Sequence, residues 1–117
     1  MYRSLIVAKI APGAEGEVGR IWTQSDQTDL PRKVGVRRRQ LFSLGDLYIH
    51  LLETAQPGTQ ALTVARGEEE FDRISERLNP FISPYLPTWR SPRDAVATCF
   101  YSWENLEAEP GIERGSA

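Results

Sequence analysis

A chain of 117 residues with 40% hydrophobic and 26% charged side chains suits one compact domain with an ordinary core and is too short for two comfortable ones. Its formal net charge of −2 argues against a nucleic-acid binder, because neutralising phosphates takes a basic surface. One cysteine, Cys99, and one histidine, His50, exclude an internal disulfide and argue against a structural zinc site.

Met1 to Ile10 lacks the pattern of a signal peptide, its short apolar run being ended by Lys9, and no stretch approaches a membrane span. The expected location is cytoplasmic. Residues 2–10, rich in Leu, Ile and Val, read as a central strand closed by Pro12-Gly13. From Ala14 to about Ser25, Val18, Ile21 and Trp22 recur at helical spacing, although Gly16 and Gly19 weaken the helix. Gln24 to Lys33 turns polar and reads as a connecting loop.

Val34 to Thr54 reads as a hairpin. If Gly45 and Asp46 are the central residues of a tight turn, Leu41 pairs with His50, Arg39 with Leu52, Ser43 with Tyr48 and Arg38 with Glu53. Alternation then sets Arg37, Arg39, Leu41, Ser43, Tyr48, His50 and Leu52 on one face, a polar constellation in which Arg39 lies diagonal to His50. Val34, Val36, Phe42, Leu44, Ile49 and Leu51 share the other face, which looks like core. Arg38 leaves the arginine run to pair with Glu53.

After the break at Pro57-Gly58 a short helix is expected over Thr59 to Arg66. A second follows Gly67, with Glu68, Glu69 and Glu70 at its positive end and Phe71, Ile74 and Leu78 as its apolar stripe. Pro80, Pro84 and Pro87 break the next segment into turns that pack as a lid or a domain edge. Ala95 to Trp103 reads as the last strand. Residues 1–103 thus form one domain and 104–117 a flexible C-terminal tail. The order strand, helix, strand, strand, helix, strand predicts an α+β fold, ferredoxin-like βαββαβ with a four-stranded antiparallel sheet, of the dimeric α/β-barrel type. A second copy of the chain would cover the sheet face left free of helices, which makes a homodimer the expected assembly.

Gly35-Val36-Arg37-Arg38-Arg39, Asp46-Leu47-Tyr48-Ile49-His50-Leu51, Leu30-Pro31, Pro84-Tyr85 and Phe100-Tyr101-Ser102-Trp103 together resemble the tetracenomycin F2 cyclase family of aromatic polyketide cyclases, from about Tyr2 to Trp103. The resemblance implies an enzyme that needs no metal or organic cofactor and acts on reactive poly-β-ketone intermediates of bacterial type II polyketide synthases. Its implied site residues are Arg39, the third arginine of the run, His50 and Asp26. Ser25 stands where the family carries a histidine, and a serine cannot serve as a base near neutral pH. An acyl carrier protein of a type II polyketide synthase is a candidate partner beside the polyketide itself.

Intramolecular aldol closure needs a base for an acidic methylene, a donor for the developing enolate or alkoxide, and a pocket that holds one folding of the chain. His50 fits the first role, with an ordinary pKa near 6.5, and Arg39 the second. Asp26 either caps a turn, or orients His50 or accepts a proton itself. Ser25, Tyr48 and Trp22 are the candidate substrate-binding residues, the two aromatics serving equally well as core. Two other functions fit the same residues: a cofactor-independent monooxygenase of the dimeric α/β-barrel type, or a non-catalytic polyketide-binding protein that steers folding of the chain.

Overall fold

The computed structural model describes residues 2–65 and 67–105. The chain runs through β1 (Tyr2–Ile10), α1 (Glu15–Asp26), α2 (Leu30–Val34), β2 (Val36–Leu44), β3 (Leu47–Thr54), α3 (Gly58–Ala65), α4 (Glu69–Leu78), β4 (Ile82–Ser83) and a 3-10 turn at Pro92–Ala95. The strands make a four-stranded antiparallel sheet in the order β2-β3-β1-β4.

The hairpin has the expected register from Leu44↔Leu47 through Leu41↔His50 to Arg38↔Glu53. Gly45 has φ +60° and Asp46 does not share a positive φ, the pattern of a two-residue turn with glycine at its first central position. Beyond Arg38 the ladder slips, so that Val36 faces Thr54 and Arg37 is the extra residue of a bulge. Arg37 is exposed there. The expected Arg38–Glu53 pair is present at 3.9 Å, sharing Glu53 with Arg3 at 3.5 Å.

Three expectations are corrected. The sheet face carrying Tyr48, His50 and Leu52 is the buried one, while Phe42 and Leu44 on the other face are 50% and 75% exposed. Period-2 alternation separates two faces without saying which one the helices cover. The loop expected over Gln24 to Lys33 contains the end of α1 and the short helix α2. Pro31 sits in the first turn of that helix rather than breaking a chain, because the first turn needs no proline N–H. The strand expected over Ala95 to Trp103 does not form within the chain. The fourth strand is Ile82–Ser83, paired with Lys9 and Ile10, and the later segment touches the sheet through Val96 opposite Ile6 and the Ala97 N–H donating to Leu5 O at 2.7 Å. Phe100, Tyr101 and Trp103 are 95%, 76% and 68% exposed, since a single chain offers those rings no surface to bury against. Of the expected tail, residues 106–117 lie outside the described residues.

Helix α1 packs Val18 and Ile21 inward, with Ser25 continuing the same stripe and Trp22 beside it. Val18 and Trp22 join Ala8, Ile10 and Tyr48 of the sheet in one cluster, with Phe81 and Ile82 packed against it. A second cluster joins Leu30 and Val34 of α2 to Ala61 and Ala65 of α3, with Phe71 of α4 against it. Helices therefore flank the buried sheet face in two groups.

Candidate active site

A cavity of about 390 Å³ lies between the buried sheet face and the helices, within the usual range for a pocket that encloses a small molecule. Most of its wall is apolar. Ile6, Ala8 and Leu52 supply the floor, Leu30, Val34, Ala61 and Phe71 the helical side, and Pro84, Trp89 and Pro92 the segment after β4. That segment, read from its prolines as a lid or an edge, is part of the wall.

Arg39, Trp22, Tyr48 and His50 join the wall as one polar group. Alternation on β2 and β3 brings Arg39 and His50 to the same face, and the C-terminal turn of α1 delivers Trp22 and Asp26 to them. Arg39 is held on three sides. Its Nε and Nη2 donate to the Asp26 carboxylate at 2.8–3.1 Å, a forked, charge-assisted arrangement. Its guanidinium carbon lies 4.0 Å from the centroid of the Trp22 ring, a cation–π contact. Its Nη1 is 3.0 Å from His50 Nε2.

Guanidinium nitrogens are donors only, so His50 Nε2 must accept, and the imidazole proton then sits on Nδ1. Burial first and the Arg39 charge second push the His50 pKa from 6.5 down to about 3. His50 is therefore a neutral ring whose lone pair is already engaged, and its remaining capacity is that of a hydrogen-bond donor. The Trp22 and His50 rings meet in a T-shaped arrangement, inclined at 62° with their centroids 5.1 Å apart. Tyr48 accepts a hydrogen bond from Trp22 Nε1 at 3.1 Å, and burial above all pushes its phenol up to about 12, against the opposing effects of that bond and of Arg39. Its own O–H stays protonated and free to donate.

The structure brings together five of the six residues singled out from the sequence: His50, Arg39, Asp26, Tyr48 and Trp22. Asp26 reaches the hairpin through Arg39, both carboxylate oxygens being engaged there. Ser25 is set apart. It is 2% exposed, its hydroxyl has no partner, and it is absent from the cavity wall. Sequence reasoning missed Arg90, Ser91 and the α2–α3 contribution to the wall; the nearest signal was the apolar spacing of Leu30 and Val34. Among the described residues no group of three or more His, Cys, Asp or Glu side chains gathers in a way that could hold a metal ion.

A profile of the family described as polyketide synthesis cyclase matches residues 2–104. The chain is 46% identical over 110 residues to an uncharacterized protein of Streptomyces coelicolor, covering 92% of this chain and 99% of that protein. It is 45% identical over 106 residues to a protein named polyketide synthase CurG of Streptomyces cyaneus, covering 89% and 98%. It is 37% identical over 102 residues to tetracenomycin F2 cyclase of Streptomyces glaucescens, covering 87% and 94%. The solved structure of that type II polyketide cyclase superposes with a TM-score of 0.83 at 36% identity, over 90% of this chain and 99% of that one.

Proposed function

The chain belongs to the polyketide synthesis cyclase family and is a cyclase of type II polyketide biosynthesis, and from that premise we propose that it catalyses regiospecific intramolecular aldol closure, with dehydration, of a poly-β-ketone intermediate. The observation that carries the chemistry is the position of Arg39, fixed by Asp26 and Trp22 and hydrogen-bonded to His50 in the wall of an apolar cavity. A methylene between two carbonyls is acidic, so water entering the cavity suffices to take its proton once the enolate is stabilised, and the same solvent returns a proton to the alkoxide. The enolate carbon bonds to a ketone carbon, the resulting alkoxide takes up a proton, and loss of water gives the unsaturated ring. In both steps negative charge grows on oxygen. Arg39, with unused protons on Nη1 and Nη2, and the neutral donors His50 Nδ1–H and Tyr48 O–H are suited to stabilise it, because preoriented donors need no reorganisation as charge develops. Trp22 and the apolar wall hold donor and acceptor carbons in near-attack geometry. Ser25, away from the wall, has no part in this scheme.

No step in this scheme calls on a metal or organic cofactor. The strand order β2-β3-β1-β4 supports the ferredoxin-like reading. The half-exposed apolar face with Leu5, Phe42 and Leu44 supports a homodimer in which a second copy covers it.

The test supplies a partly cyclised polyketide, without oxygen, to the wild type, Arg39→Ala and His50→Ala. The wild type is expected to yield one dominant ring pattern and both variants the mixture formed spontaneously. Unchanged product ratios in both folded variants would remove the assigned roles and favour a protein that only shapes the chain. Turnover that requires oxygen would instead favour a monooxygenase.

A further inference from the structure

We propose that Arg90 makes one end of the cavity an anion subsite, taking the terminal carboxylate or phosphate of an otherwise uncharged, flat polyketide. This rests on the cyclase reading and adds to it the charge and the orientation of the substrate.

The charge inventory of the wall leads to it. Among the described residues the wall contains two cations, Arg39 and Arg90, and no aspartate or glutamate. Asp26 offsets the charge of Arg39. Arg90 has no ion pair and no side-chain hydrogen bond among the described residues. The acid nearest in sequence, Asp94, turns Oδ2 to the backbone N–H groups of Arg90 and Ser91 at 2.8 and 3.2 Å. Those two bonds and the capping box between Ser91 and Asp94 hold the chain at Arg90 in place. A chain of net charge −2 thus keeps, among the described residues, one guanidinium without a counter-charge on the rim of an apolar cavity. A guanidinium in such a place pairs best with a carboxylate or phosphate, whose oxygens match its fork.

Sheet order gives the subsite its distance from the chemistry. Arg39 lies on β2 at one edge, and Arg90 lies between β4 and the turn at Pro92–Ala95, after which Val96 faces Ile6 on the side of β1 away from β3. Three strand spacings of about 4.8 Å separate β2 from that side of β1, so the sheet beneath the cavity spans roughly 14 Å. An anionic end held at Arg90 therefore leaves a skeleton of a few fused rings lying past Trp89 toward Arg39 and His50. The ring that closes is then counted from the anchored end, so Arg90 acts as a specificity-determining residue.

The experiment measures binding, not turnover, using anthraquinone-2-carboxylate, its neutral primary amide, and amides of the same acid carrying phosphopantetheine or pantetheine. The proteins are wild type, Arg90→Gln and Arg90→Lys, with matched melting curves; Arg90 is exposed, so both variants are expected to fold. The wild type should bind the charged member of one pair about tenfold more tightly than the neutral member. Arg90→Gln should erase that preference without changing affinity for the neutral probe, and Arg90→Lys should keep part of it. A preference confined to the carboxylate pair identifies a free acid as the substrate, and one confined to the phosphate pair identifies a carrier-bound chain. Equal affinities in the wild type, or a preference that survives Arg90→Gln, overturn the subsite while binding of the neutral amide leaves the cyclase reading intact. Failure of every probe to bind the wild type overturns both.

Discussion

At the scale of single residues, the chemistry of the site follows from what a guanidinium can and cannot do. Arg39 can only donate, so each group it touches through its nitrogens must accept, and that rule engages the His50 Nε2 lone pair and underlies the donor role proposed for this residue. His50→Asn tests the change, because the asparagine amide nitrogen falls near the place of Nδ1–H while nothing basic remains. His50→Asn is expected to retain kcat/KM within about tenfold of the wild type, and His50→Ala to lose about 10²–10³-fold, the usual range for one oxyanion donor. Equal losses in both variants would return the base role to His50. Burial of the neutral ring also has a stability signature. The native state binds its proton only near pH 3, the unfolded chain near 6.5. Between those values the unfolded state binds more protons, so stability falls as pH drops from 6.5 toward 3, with a slope approaching about 1.4 kcal/mol per pH unit from this group, and is independent of it above 6.5. Urea denaturation at several pH values should show that His50→Asn has a shallower decline than the wild type in this window.

At the scale of elements, the hairpin and the end of α1 are the parts that make the site. Gly35 ends α2 at φ +83° and leads directly into β2. A Cβ there would find Ala55 at an ordinary 3.7 Å, so the backbone conformation alone sets the cost of a side chain. Gly35→Ala is expected to lower stability by about 1–2 kcal/mol, read as a reduced denaturation midpoint. A larger loss would mean that the turn into the bulge at Arg37 cannot form with alanine. The bulge itself belongs with this turn: it ends the regular ladder next to Arg38 and leaves the Arg39 register intact. On the outer face the Arg3–Glu53–Arg38 row closes one end of the apolar strip with charges.

At the scale of the whole molecule, one sheet face is covered by helices and the other is not. Leu5, Phe42 and Leu44 lie on the uncovered face, and Phe100, Tyr101 and Trp103 add exposed rings on the segment leaving β1. Apolar surface gathered in this way is characteristic of an interface between chains. Light scattering is expected to find two chains per particle for the wild type and one for Leu5→Asp/Phe42→Asp. Retention of the two-chain mass by a folded double variant would mean that the copies meet elsewhere.

The sequence by itself determined the hairpin register, the two amphipathic helices, and the sharing of one face by Arg39 and His50, because periodicity and turn chemistry are local properties. The family was legible for the same reason: its motifs sit in short, contiguous runs. Only the tertiary structure decided which sheet face is buried, that Asp26 reaches Arg39 rather than His50, that Ser25 turns away from the cavity, and that Ile82–Ser83 rather than Ala95–Trp103 supplies the fourth strand. Those outcomes depend on which distant surfaces meet. The protonation of His50 was decided with them, since burial and a neighbouring guanidinium hold an imidazole with an ordinary pKa near 6.5 as a neutral ring that accepts from Arg39, and the donor role proposed for it starts from that state.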